Sequence, residues 1–220
     1  MERAVEDQWR RRQAGTLPSL ETLQGCVATE TARRVVSTYR RLIAEGGDAL
    51  PRKRSFDPSV LGRDLANTIL YEVSDPTRVV FRIVGETMKE HFRINPVGRS
   101  YLEFVPERRR PHALAAFRAC AETPCAMLSR TRRVFASGVS RYCEAVGLPL
   151  MAETPNGPAS HLLFVDVPVA LHTMTEHDTT EFQFAHLLER RFIDVGRGVP
   201  DAFDDLVLVD PSSPFHHQGV

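Results

Sequence analysis

Two strand-like runs, Thr68 to Val73 and Arg78 to Val84, flank Ser74-Asp75-Pro76-Thr77, and this feature constrains the chain more than any other. Proline presets φ and an aspartate side chain bonds to nearby backbone, so the linker is turn chemistry and the runs read as an antiparallel hairpin. Alternation puts Ile69, Tyr71 and Val73 on one face. It puts Val79, Phe81 and Ile83 on one face of the partner, with Arg82 opposite. Three further strand-like runs follow at about 126–135, 140–151 and 160–169. Asn156-Gly157, between two prolines, supplies the turn joining the last two. Between the two sets of strands lie short helical stretches. One holds Met88, His91 and Phe92, and another holds Tyr101, Leu102, Phe104 and Val105. A longer one opens at Pro111, carries Ala113, Leu114, Phe117, Cys120 and Ala121 on one face, and stops near Pro124.

The flanks divide the rest. Residues 1–28 carry Arg10 to Arg12 and a Gly15/Pro18 break with little periodicity, which predicts a flexible arm with one short helix around Trp9. Residues 29–48 form an amphipathic helix: Ala32, Val35, Val36, Tyr39, Leu42 and Ile43 recur at helical spacing and Gly46-Gly47 stops it. That stripe must pack on the main unit or on a second copy of the chain, and a homodimer through residues 29–45 is the second expectation. The main unit runs over 49–170. Residues 171–220 form an acidic extension, nine Asp/Glu against three Arg, with one helix at about 178–190.

Lys plus Arg and Asp plus Glu both number 28, so a strongly basic polyelectrolyte binder is excluded. All the basic residues but Lys53 and Lys89 are arginine. Their clusters (10–12, 33/34/40/41, 108–110 and 130/132/133) read as solvated faces balanced by the acidic extension rather than as a nucleic-acid surface, for no stacking stripe or recognition helix accompanies them. No apolar run reaches 18 residues and the N-terminus has no apolar leader, so no membrane span is expected and the chain is placed in the cytoplasm. Cys26, Cys120, Cys125 and Cys143 make no Cys-x-x-Cys pair, which predicts reduced thiols.

Several short motifs stand in a particular order: Leu50-Pro51-Arg52 and Phe56-Asp57-Pro58, then Phe81-Arg82-Ile83-Val84-Gly85, then Gly98-Arg99-Ser100-Tyr101-Leu102-Glu103-Phe104, and finally Leu148-Pro149-Leu150. With the order strand–strand, short helices, strand–strand–strand, the chain resembles the PAS domains, in particular the short PAS proteins of alphaproteobacteria, over residues 49–170. The resemblance implies an α+β fold, a PAS-like five-stranded antiparallel sheet covered on one face by short helices, with the N-terminal helix as an extension. It also implies a non-catalytic sensory or adaptor module that binds a small ligand, a signalling protein, or both.

A pocket between sheet and helices would be lined by Phe81, Ile83, Met88, Phe92, Tyr101, Phe104, Phe117 and Met127, and the inward strand positions read as apolar. No cofactor is expected. Haem would need an axial ligand, and His112 follows Arg108 to Pro111 at a helix start, while His91 beside Phe92 reads as packing. No flavin-type cysteine segment is present, and Cys120 on an apolar helix face reads as an inert thiol. Two other classes stay open: a small α+β-barrel hydrolase or isomerase, and an arginine-based nucleic-acid binder. Glu176-His177-Asp178 makes a weak relay, because three consecutive side chains diverge on any element. An enzyme would need paired carboxylates or histidines pointing into the pocket.

Overall fold

A computed structural model describes residues 15–17, 19–92, 94–135, 140–152, 158–169 and 182–201. The expected helix at Trp9, the Asn156-Gly157 turn and Glu176-His177-Asp178 lie outside them. The strands are β1 (Gly15–Leu17), β2 (Thr68–Glu72), β3 (Val80–Val84), β4 (Ala126–Phe135), β5 (Ser140–Met151), β6 (Ala159–Pro168) and β7 (Phe182–Ile193). The helices are α1 (Leu20–Cys26), α2 (Glu30–Glu45), α3 (Glu86–Phe92) and α4 (Arg110–Glu122), with 3-10 turns such as Tyr101–Phe104.

All seven strands form one sheet in the order β1-β7-β4-β5-β6-β2-β3. The five strands read from sequence occupy consecutive places in it, and every pairing is antiparallel except β1 with β7. The expectation of five strands therefore falls short. The helix placed at about 178–190 is instead the long strand β7, laid along β4 and carrying the short β1 on its other side. Its alternation is broken by a bulge. Arg130 pairs with Glu189 but Thr131 pairs with Leu187, so Leu188 has no partner and side chains on either side of it swap faces. A broken period of two no longer reads as a strand.

Helices cover both faces of the sheet, not one. The stripe of α2 is turned onto the sheet, with Ala32, Val35, Val36 and Tyr39 buried against Leu128, Val146, Leu148 and Val165. The Tyr39 hydroxyl donates to the Pro149 carbonyl at 2.5 Å. The stripe is thus spent within the chain, which removes the ground for a dimer through 29–45. Nor is the arm over 1–28 solvated throughout. Ser19 caps α1, and Leu20, Leu23 and Val27 join the same core.

A buried ionic network locks these helices to the sheet. Arg130 donates to Glu144 at 3.1 Å and to Glu189 at 2.8 Å, and its guanidinium also reaches the Cys26 carbonyl at 2.7 Å. Glu144, fully buried, accepts the backbone N–H groups of Ala28 at 2.9 Å and Thr29 at 3.2 Å, at the start of α2. Those donors have no partner inside the helix, and a carboxylate there also suits the helix dipole.

Candidate functional site

The other face of the sheet is roofed by α3, the 3-10 turn Tyr101–Phe104 and α4, and a cavity of about 250 Å³ remains between roof and sheet. The roof is held by backbone. Gly98 N–H donates to the Phe81 carbonyl at 2.8 Å, Phe81 N–H to Arg99 at 3.1 Å, and Tyr101 N–H to Val79 at 2.7 Å, so residues 98–101 run along the free edge of β3. Ser100 and Glu103 close a capping box on the turn, which aims Tyr101 and Phe104 inward. Gly85, between β3 and α3, lies where a Cβ would stand 2.3 Å from the carbonyl oxygens of Leu65 and Ala66; only glycine permits that approach.

Of the eight residues proposed from sequence, Met88, Phe92, Tyr101, Phe104, Phe117 and Met127 line the cavity. Phe81 lies behind them, fully buried and in ring contact with Phe92 and Phe104 at 5.3 and 5.6 Å. Ile83 is on the wrong face. In the β2–β3 register Tyr71 pairs with Phe81 but Leu70 with Ile83, so Arg82 is an extra residue that reverses the alternation. Ile83 packs with the α2-side core instead. Tyr71 is the hub of the aromatic wall, 4.9 Å from Phe81 and 5.2 Å from Phe117, ring centre to ring centre. Phe164 completes it by lying over Gly147 of β5, where a Cβ would meet the ring at 2.5 Å.

The reading of apolar inward strand positions is overturned along β4 and β7. Ser129, Thr131 and Arg133 of β4 alternate onto the cavity face, Arg190 joins them from β7, Asp166 from β6 and Arg109 from the roof. The β7 bulge lets both Leu187 and Arg190 face inward. Arg133 and Asp166 form a salt bridge there. Burial opposes the guanidinium charge, but the Asp166 carboxylate outweighs it and holds the pKa of Arg133 above that of an ordinary arginine. The second oxygen of Asp166, Oδ1, is buried and receives no hydrogen bond. Burial also pushes up the Tyr71 and Tyr101 hydroxyls, which stay protonated at neutral pH. The cavity therefore has an aromatic side toward β2 and α3 and a cationic side toward β4 and β7.

Alternation alone would have found Ser129, Thr131 and Arg133, since Met127 was already placed inside. What hid them is that arginine on a strand ordinarily faces water. The arginine cluster at 130/132/133 is in fact divided, with Arg130 buried on the α2 face and Arg133 on the cavity face. Cys120 and Cys125 sit side by side, Sγ to Sγ 3.9 Å, and burial pushes the Cys120 thiol well up, away from the reactive thiolate. No helix among the described residues is long and apolar enough to cross a membrane.

No family model and no curated protein matches the chain. Among solved structures it is similar to a LOV protein of Rhodobacter sphaeroides, with 12% identity and a TM-score of 0.37 over 48% of this chain. The match spans 60% of that protein's length.

Proposed function

We propose that the chain is a PAS-type sensory or adaptor module, non-catalytic, that takes a small molecule into the cavity between sheet and helix cluster and passes the occupancy on to a protein partner. The observation that carries this reading is the 250 Å³ space between the sheet and the helix cluster, since protein interiors ordinarily hold few voids larger than a water. The element order set out above supports the PAS assignment. The lining supports binding over catalysis. Among its described residues there is one carboxylate, Asp166, already paired with Arg133, and no histidine to act with it. A ligand touching Tyr101, Phe104 and Phe92 would bias how the roof packs on the sheet and so change the surface the roof presents.

Ligand-observed NMR against a fragment library tests the reading, run in parallel on the native sequence and on Ala145→Leu, which adds a side chain into the cavity from β5. Hits that the substitution removes are the expected result. No hits, or hits indifferent to Ala145→Leu, would show that the cavity is not a binding site.

A further inference from the structure

We infer that the cavity takes a flat, neutral, two-ring aromatic compound carrying an N–H or O–H donor, with that donor on Oδ1 of Asp166 and its rings against the aromatic wall. The inference rests on the cavity being a ligand site, as proposed above, and adds the chemistry of what enters it. It starts from a hydrogen bond that the fold leaves unmade. Asp166 lines the cavity from β6, and its Oδ2 accepts from Arg133. Oδ1 is buried and receives no donor. A buried acceptor left unserved carries a desolvation cost, and a ligand that brings an N–H or O–H to it recovers that cost. A carboxylate head would set its own lone pairs against Oδ1, which excludes an acid. A cation would meet the guanidinium of Arg133, which already neutralises the same carboxylate. A neutral donor avoids both and brings no charge to be stripped of water.

The rest of the lining selects the body. Tyr71, Phe92, Tyr101, Phe104, Phe117 and Phe164 line the space. Their own contacts are edge-to-face and stacked, with ring centres 5.1 to 5.5 Å apart. A flat ring joins such a cluster by the same contacts, which an alkyl chain cannot make. Position follows from β6. Phe164 and Asp166 alternate onto the cavity face about 7 Å apart along the strand, close to the length of two fused rings. A ring system lying on Phe164 therefore brings its edge to Asp166. Ala145, the β5 residue paired with Asp166, carries only a methyl group and leaves that approach open. Volume agrees: an engineered apolar cavity of about 150 Å³ holds benzene. This one, at about 250 Å³, has room for a second ring.

Equilibrium dialysis of the full chain decides the matter with matched compounds: indole against indene and 2-naphthol against naphthalene, then 2-naphthoate, 2-naphthylmethylammonium and decahydro-2-naphthol. In at least one of the pairs the donor is expected to bind tenfold or more tighter than its partner. The two ions and the puckered alcohol are expected to bind at least threefold more weakly than 2-naphthol. Asp166→Asn keeps an oxygen for Arg133 and turns its NH2 group to the cavity. The donor's margin should then fall to threefold or less while the affinity of its partner hydrocarbon holds, which excludes misfolding as the cause. Margins below tenfold in both pairs would overturn the donor assignment and leave the ligand site standing, with Oδ1 served by solvent. So would a margin that stays above threefold in Asp166→Asn. An ion or the puckered alcohol that binds as tightly as 2-naphthol would overturn the neutral, flat ligand in the same way. Silence from all the compounds would overturn the inference, while the fragment screen above decides the site separately.

Discussion

The two faces of the sheet use the same residue types to opposite ends. Under α1 and α2, each oxygen of Glu144 and Glu189 receives a donor: Arg130, Arg191 and the backbone of Ala28 and Thr29 between them supply all four. The aliphatic side chains around them, among them Val35, Val36, Val146, Leu148 and Val165, are buried to within 1% of full coverage. Under α3 and α4 an arginine and an aspartate again meet on neighbouring strands, but Oδ1 of Asp166 is left without a donor and a cavity stays open beside it. Satisfied polar groups in a filled core specify one structure; unsatisfied ones around a space leave energy available to a ligand. The first face holds the fold together, and the second is the face on which the proposed function places the ligand.

The sharpest way to break that comparison is to remove one carboxylate from each face. Glu144→Ala leaves Arg130 buried without one of its two carboxylate partners and orphans two N–H groups at the start of α2, for an expected loss of about 3–5 kcal/mol. Asp166→Ala leaves Arg133 partly reachable by water, as both side chains of that pair retain about 15% exposure (16% and 15%), and should cost about 1–2 kcal/mol. Urea unfolding of both variants checks the ranking. Equal losses would mean that the two faces are equally committed to stability.

A milder contrast uses two adjacent residues of β5. Val146 is fully buried on the α2 face and Ala145 lines the cavity. Val146→Phe overpacks a filled core and should cost about 1–3 kcal/mol. Ala145→Leu adds bulk where there is room and should leave stability within about 0.5 kcal/mol, or raise it slightly. Thermal unfolding distinguishes them, and a comparable loss at Ala145 would mean that the cavity collapses in solution.

How much of this was legible beforehand follows from what local pattern can carry. The hairpin was readable from its turn residues, and the three later strands and the stripe of α2 from apolar patterns that run over several residues. Ile83 was misassigned, and β7 was mistaken for a helix, for one shared reason. A single extra residue, Arg82 in one strand and Leu188 in the other, reverses alternation, and only the partner strand determines where the bulge falls. Six aromatic or thioether residues of the cavity were legible as apolar. Its cationic side was not, because the burial of Arg133, like that of Arg130 and Glu144, depends on partners 33, 14 and over 100 positions away in the chain.

The smallest expected effect concerns pH and falls on the face that builds the molecule. His161 of β6 alternates with Leu163 and Val165 onto the α2 side and stands opposite Glu72 of β2. Burial lowers its pKa to about 4; the Glu72 carboxylate opposes the shift, while Lys53 and Arg82 add to it. The unfolded chain takes up this proton near the ordinary histidine value of about 6.5, so between there and about 4 it binds more protons than the folded protein. The contribution of His161 is therefore fully present above about 6.5 and is lost as pH falls toward 4. A ring this exposed to solvent converts only part of its shift into stability, which sets the loss on the order of 1 kcal/mol. Urea midpoints at intervals from pH 7 to pH 4.5 should show this decline, and His161→Gln should flatten it. The protonated tyrosines of the cavity face, Tyr71 and Tyr101, do not titrate in that window. A decline that survives His161→Gln would move the acid sensitivity away from His161.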